Sequence, residues 1–280
     1  VNDQVKKFKS WQADWCLFAK EVLKVKLDPE QAMILRAIQE NKMIAVAAGT
    51  ARGKDFVGAV ASICFLYLTP KFKDGQLIEN TKVALTAPSG RQVENVMYPE
   101  VTRLFNRAKV LPGRLVGTSI KTDWDEWFLT GFKADDTRQE VWSGFHAVNT
   151  MFVVTEAIGI SELTFAAIEG NLQGNSRLLL IFNPNTSIGY AARAMTSPRF
   201  KSFRLDDLNA PNVKEKRIII PGQVDYEWVK DKVHTWCEPI KKEDFNEGRG
   251  DFEWEGKFYK PLEGASGDLF RVKVRGLFPE

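Results

Sequence analysis

The residues that constrain this chain most are Ala47-Ala48-Gly49-Thr50-Ala51-Arg52-Gly53-Lys54-Asp55, a glycine-containing loop between two apolar runs. Met43 to Val46 precedes it, and a helix-like apolar segment, Phe56 to Leu68, follows. A strand, a loop ending in Gly-Lys and then a helix is the order of a phosphate-binding P-loop. In that order the backbone N–H groups of the loop and of the helix N-terminus point at the anion, and the helix dipole adds favourable potential. Gly49, Thr50, Ala51, Arg52, Gly53, Lys54 and Asp55 are therefore the expected cradle, with Lys54 reaching the outer phosphates as a point charge. The usual pattern is G-x-x-x-x-G-K-[ST]. Here Ala48 replaces the first glycine, and Asp55 stands where a hydroxyl normally meets Mg²⁺. The plainer reading of the same residues is a tight strand-to-helix turn with an exposed lysine.

A chain of 280 residues has room for one large α/β domain or two small ones. Its net charge of +3 neither demands nor excludes nucleic acid, since a basic face fits inside a near-neutral total. Cys16, Cys64 and Cys237 are far apart and form no C-x-x-C pair, which argues against a zinc site or a disulfide framework. His146 and His234 are too few for a histidine metal site, and a reducing cytoplasm is the expected setting. No apolar run reaches membrane-spanning length and no signal peptide is visible.

Along the chain, residues 1–24 read as helical. Asp28-Pro29 is an N-cap followed by a first-turn proline and starts a helix to about Glu40. Lys82–Ala87 reads as a second buried strand. Ser89 then caps a helix through Arg107, with a kink expected at Pro99. Short β pieces are expected over 110–135, including Glu126–Phe132. Met151–Val154 and Arg177–Phe182 complete the core strands, with helices opening at Ser161-Glu162 and over Gly189–Met195. Continuous apolar strands alternating with helices predict an α/β fold, a mostly parallel sheet covered on both faces. No internal repeat is present. Residues 239–268 lack clear periodicity and read as an irregular excursion before a last strand, Leu269–Val274. The expected division is an N-terminal helical segment (1–42), a P-loop ATPase core (43–238) and a terminal piece (239–280).

Met151-Phe152-Val153-Val154-Thr155-Glu156 resembles the acidic strand end of P-loop ATPases, in which apolar residues lead to an Asp-Glu pair. There the Asp sits near Mg²⁺ and the Glu polarises the attacking water. Here Thr155 holds the Asp position and Glu156 remains. Both departures concern the metal. The expectation is a reciprocal exchange, Asp55 supplying the carboxylate and Thr155 the hydroxyl, against two independent losses in a degenerate ATPase. Asn183-Pro184-Asn185-Thr186 closes a core strand where open α/β sheets bind ligands, so Asn183 and Thr186 are candidate γ-phosphate sensors; an Asx turn is the alternative. The Gln31 amide is a candidate adenine contact, set against an exposed helix residue. Arg52, in the loop, is a candidate arginine finger in cis. Arg91 and Arg138 are others, Arg138 on a neighbouring subunit.

Read in order, Leu27-Asp28-Pro29-x-Gln31, the loop ending Gly53-Lys54, and Thr86-Ala87-Pro88-Ser89-x-Arg91-Gln92-Val93 resemble the ATPase half of a phage terminase large subunit. So do Gly144-Phe145-His146-Ala147, Val153 to Ala157, Ile168-Glu169-Gly170, Leu178 to Pro184, and the ending Phe270 to Pro279. The similarity runs over about residues 10–238 and 269–280. It implies a P-loop NTPase of the RecA/ASCE-like kind that uses ATP and Mg²⁺ to drive double-stranded DNA into a procapsid. It also implies a ring, usually a pentamer, on the portal protein in the host bacterial cytoplasm, together with a small terminase subunit. Lys54 would be the phosphate ligand, Glu156 the catalytic carboxylate, Gln31 the adenine contact, and Asn183 to Thr186 the coupling element. Family members continue into a nuclease with a metal-binding carboxylate cluster. This chain stops at that junction, so no nuclease activity is expected of it.

Two other functions remain open on these residues. One is a nucleotide-binding structural subunit without hydrolysis, because an uncompensated Asp55 repels a triphosphate. The other is a helicase-like ATPase, which needs a second RecA-like domain that this length does not accommodate.

Overall fold

Successive side chains along a strand point to opposite faces of a sheet, and the strand before the loop, β1 (Met43–Ala48), shows it. Ile44, Val46 and Ala48 pack into one apolar cluster, while Met43, Ala45 and Ala47 pack into another on the opposite face. The computed structural model describes residues 2–138 and 140–280. The other strands follow as β2 (Lys71–Lys73), β3 (Gln76–Glu79), β4 (Thr81–Ala87), β5 (Arg114–Val116), β6 (Ser119–Lys121), β7 (Trp127–Lys133), β8 (Asn149–Thr155), β9 (Asn175–Phe182) and β10 (Lys201–Leu205). Eight of the ten form one sheet in the order β10-β1-β9-β8-β4-β7-β6-β5, while β2 and β3 pair as a separate hairpin. The sheet is parallel from β10 to β7 and antiparallel at β6 and β5. This is the mostly parallel α/β sheet expected. β1, β4 and β8 are buried along their whole length, as a parallel sheet covered on both faces requires.

The N-terminal stretch forms two helices, α1 (Asn2–Ala13) and α2 (Trp15–Glu21). They break at Asp14, whose side chain caps α2 by accepting from the N–H groups of Cys16 and Leu17. α3 (Pro29–Glu40) starts as expected, with a capping box between Asp28 and Gln31. α4 (Lys54–Leu68) is buried from Val57 to Leu68, so it lies within the structure, on the sheet face shared with α2 and α3. The kink near Pro99 takes the form of a π-helical turn, Val93–Met97, leading into the helix Tyr98–Ala108.

The C-terminal part departs from expectation. The stretch after 238 carries a three-stranded antiparallel sheet, β11 (Cys237–Ile240), β12 (Phe252–Trp254) and β13 (Lys257–Pro261), in the order β11-β13-β12. Glu255 and Gly256, both at positive φ (53° and 77°), make the turn between β12 and β13. Leu269–Val274 is helical, not a strand: Ala265–Phe270 runs into a π turn, Arg271–Arg275. The alternation Phe270-Arg271-Val272-Lys273-Val274-Arg275 satisfies a strand period, but it also places Phe270 with Val274, and Arg271 with Arg275, four residues apart on a helix. Phe270 and Val274 are buried in a third cluster with Val213, Val229, Val233, Phe252 and Tyr259. The boundary expected at 238 falls inside this cluster.

Candidate functional site at the phosphate loop

Gly53 ends the loop at φ 86° and caps α4 without any side-chain hydrogen bond, so the first-turn N–H groups of α4 have no partner inside the helix. A β-carbon at Gly53 would sit 2.3 Å from Nε2 of Gln31, so glycine is needed for both space and backbone angle. Ala51 also adopts the left-handed conformation, with φ 53°.

Four segments hold the loop. The N–H of Gly49 donates to the Leu205 carbonyl of β10 at 3.0 Å, and that of Thr50 to the Lys273 carbonyl of the π turn at 2.6 Å. The Val224 N–H donates to the Ala51 carbonyl at 2.9 Å. Asn183, at the end of β9, donates its amide to the carbonyls of Ala48 (2.7 Å) and Gly49 (3.3 Å). Thr186 is half-buried and its hydroxyl accepts from the Ile188 N–H, so it closes the turn beyond Asn183.

β8 is not the sheet neighbour of β1, because β9 lies between them. The N-terminus of α4 nevertheless reaches across to the end of β8. Thr155 Oγ1 donates to Asp55 Oδ1 at 2.5 Å. Lys54 Nζ stands 3.5 Å from Asp55 Oδ2 and 3.9 Å from Glu156 Oε1. Glu156 holds a left-handed backbone (φ 49°, ψ 41°), a conformation costing a non-glycine residue about 1–3 kcal/mol. Burial pushes the Glu156 carboxyl above its ordinary pKa; Lys54 opposes the shift, Asp55 adds to it, and Lys273 opposes it again. The ionised form is therefore costly to keep, which suits a proton-accepting group.

A divalent cation placed here would meet one carboxylate, one hydroxyl and the nearby Glu156. These are hard oxygens of the kind Mg²⁺ takes, with its remaining positions left to phosphate and water. Among the described residues no group of three or more His, Cys, Asp or Glu side chains gathers to hold a metal by itself.

Beside the loop opens a cleft of about 410 Å³, lined by Gln31, Gly53, Lys54, Phe56, Pro221 and Gln223 among others. A larger apolar cleft of about 970 Å³, between α1 and the β2–β3 hairpin, contains none of the expected site residues.

Two expectations need correction. Arg52 is 1% exposed, and its guanidinium is fixed by Asp28 at 2.6 Å, Glu30 at 2.9 Å and the Asp206 carbonyl at 3.4 Å. It anchors the loop to α3 and β10 and cannot point at a phosphate, so it is not a finger in cis. Gln31 is buried too. Its Oε1 accepts from the Asp28 N–H at 3.0 Å and its Nε2 reaches the Gly53 carbonyl at 3.5 Å. With one acceptor site and one N–H so engaged, the carboxamide supports Gly53 and keeps only its remaining donor and acceptor for a base. Arg138 lies on an exposed stretch after β7. Arg91 is exposed in the short helical turn Gly90–Gln92.

Asp206, Asp207, Gln223 and Lys273 were not visible as site residues in the sequence. Asp206 accepts from Arg275 Nε at 2.7 Å and from Arg204 at 2.9 Å, which ties the π turn to β10. Asp207 lies under Gly49, and neither carboxyl oxygen has a partner among the described residues. Burial, reinforced by Asp206, pushes its carboxyl well above the usual range. The pair Asp206-Asp207 directly follows β10, a strand with no apolar run of its own to mark it in the sequence.

No protein-family model and no curated protein matches the chain. Solved structures do. The large-terminase ATPase domain of Thermus phage P74-26 aligns with a TM-score of 0.53 at 17% identity, covering 72% of this chain and 92% of that one. The large terminase of bacteriophage HK97 aligns with a TM-score of 0.57 at 11% identity, over 80% of this chain and 51% of that one. The large terminase of a thermophilic bacteriophage gives 0.50 at 11%, over 65% and 46%. The chain has the fold of the ATPase domain of phage large terminases.

Proposed function

We propose that this chain is an ATP-hydrolysing, Mg²⁺-dependent motor domain that drives double-stranded DNA into a viral procapsid. The observation that carries the reading is the position of Lys54. Its ammonium stands between Asp55 and Glu156 at the carboxyl ends of a parallel sheet, beside a loop whose helix N-terminus is uncapped. Backbone N–H groups from Ala51 to Asp55 would hold the phosphates, since those of Gly49 and Thr50 donate to the Leu205 and Lys273 carbonyls. Lys54 would release its carboxylate partners to bind the outer phosphates, leaving Glu156 to polarise the attacking water. Asn183, bonded to the loop carbonyls, would transmit the state of the nucleotide to β9, with Thr186 shaping that turn. Contacts to DNA would be to phosphates, insensitive to sequence and weakened by salt. The exposed Arg138 would act on a neighbouring subunit of a homo-oligomeric ring, docked on a portal protein in the bacterial cytoplasm and served by a small terminase subunit. Among the described residues no helix is long and apolar enough to cross a membrane.

A second reading, a nucleotide-binding subunit without turnover, is favoured by the closeness of Asp55 to Lys54. Complementation separates the two. An Arg138→Ala chain keeps its own Glu156, and a Glu156→Ala chain keeps its Arg138. Mixing the two at high concentration should restore ATP turnover that neither shows alone. Wild-type protein that binds ATP but never turns it over at any concentration, with or without DNA, would favour the second reading.

A further inference from the structure

We propose that the carboxylate serving the divalent cation has moved from the strand end to the phosphate loop. Asp55 is the metal's anionic ligand, and Thr155 is the hydroxyl that orients it. This deepens the nucleotide-binding reading and rests on it. A hydroxyl after Gly-Lys and an acid before the catalytic glutamate are the usual arrangement. Here the two residue types are interchanged, and the structure brings them face to face although β9 separates their strands. Thr155 Oγ1 donates to Asp55 Oδ1 at 2.5 Å, and both side chains are largely buried, Asp55 at 18% exposure and Thr155 at 1%. Two independent losses would not preserve a matched donor and acceptor at this point. An acid in the first turn of α4 also has an ordinary explanation, its favourable interaction with the helix dipole. That explanation needs neither Thr155 nor the contact with it.

The exchange has a consequence for charge. In the usual arrangement a neutral hydroxyl borders the phosphates on the loop side. Here a carboxylate does, 3.5 Å from the lysine that must bind them, and Glu156 lies 3.9 Å from the same ammonium. Without a divalent cation, Asp55 repels the nucleotide and holds Lys54 away from it. With the cation, Asp55 becomes a ligand and Lys54 is freed. Nucleotide affinity should therefore depend on Mg²⁺ more steeply than a loop hydroxyl would make it.

The test reads ADP affinity by calorimetry with and without Mg²⁺, in wild type, Asp55→Asn, Asp55→Thr, Thr155→Asp and the double exchange Asp55→Thr/Thr155→Asp. Thermal melts of each variant confirm folding. Wild type should bind ADP at least about tenfold more tightly with Mg²⁺, the lower end of what perturbing a metal's ligand environment costs. Asp55→Asn should bind Mg²⁺-free ADP more tightly than wild type does, and should lose most of the gain from Mg²⁺. The double exchange should recover the gain that Asp55→Thr loses, a coupling seen only between residues sharing one partner. Thr155→Asp brings two carboxylates together and is the variant expected to fold poorly; the Asn and Thr variants keep the test decisive. The proposal is overturned if Asp55→Asn retains the full Mg²⁺ gain, or if the double exchange binds no better with Mg²⁺ than Asp55→Thr. Wild type that binds ADP equally with and without Mg²⁺ overturns it while leaving nucleotide binding intact. Wild type that binds no nucleotide sinks both.

Discussion

Arg52 illustrates how the structure reassigns a residue that sequence pattern marks as catalytic. Its guanidinium and the Asp28 carboxylate are each 1% exposed and 2.6 Å apart, with Glu30 at 2.9 Å on the other side. Replacing Arg52 by Met keeps the apolar stem and removes the charge, leaving Asp28 buried beside another acid. Removing one partner of a buried ion pair costs about 3–5 kcal/mol. Asp28 would retain the Gln31 N–H at 2.9 Å and Gln223 Nε2 at 3.1 Å, which favours the lower end. In a domain of this size about 3 kcal/mol lowers the melting temperature by roughly 6–12 °C. The double variant Arg52→Met/Asp28→Asn removes the fully buried pair and should recover part of that loss, since only Glu30, with 31% of its side chain exposed, is then left without its cation. Differential scanning calorimetry of the two variants beside wild type measures it. An Arg52→Met protein that melts within about 2 °C of wild type, a shift worth only ~1 kcal/mol, yet loses ATP turnover would refute the structural role and restore the finger.

The other predictions use the same measurements. Burial raises the Glu156 carboxyl's pKa in the folded state. Its stabilising contribution is therefore complete below the ordinary glutamate pKa and lost as pH rises through the raised value. Glu156→Gln should melt above wild type near neutral pH, with the difference vanishing towards about pH 4, while turnover disappears; equal melting at every pH would contradict this. A β-carbon at Gly49 would lie 2.4 Å from Asp207 Oδ1 and 2.8 Å from the Val274 carbonyl. Gly49→Ala should thus cost about 1–3 kcal/mol and weaken nucleotide binding, and a neutral melt would show that the π turn packs less closely. Asn183→Asp sets a carboxylate against two carbonyls and should melt below Asn183→Ala, which itself loses about 1–3 kcal/mol by leaving acceptors unpaired; the reverse order would mean Asn183 is not a donor to the loop.

What could be read from the sequence was what local chemistry specifies. The run Met43 to Ala48, the Gly53-Lys54 step and the Asp28-Pro29 start each carry their own signal, and the structure has a strand, a left-handed cap and a capping box there. The meeting of Asp55 with Thr155 follows from a P-loop fold, in which the two strand ends are neighbours, and it holds although β9 lies between β1 and β8. The misses have physical causes. β10 is an edge strand of Lys, Ser, Phe, Arg and Leu, without the apolar run that marks the central strands. Overlooking it concealed Asp206 and Asp207. Phe270 to Arg275 fits periods of two and of four, and only packing against Val229, Val233 and Phe252 decides for the helix. Arg52 and Gln31 look like ligand contacts in the linear pattern because charge and amide chemistry are visible there. Their burial is set by α3 and β10, which the pattern around them does not reveal.

The central claim is that this phosphate loop supports hydrolysis. The most direct test is Mg²⁺-dependent ATP turnover at high protein concentration, wild type beside Glu156→Ala, with ATP binding measured on both. Wild type should turn ATP over, the variant should not, and both should bind ATP. Wild type that fails to bind ATP, or a Glu156→Ala protein that turns it over as fast as wild type, would contradict it.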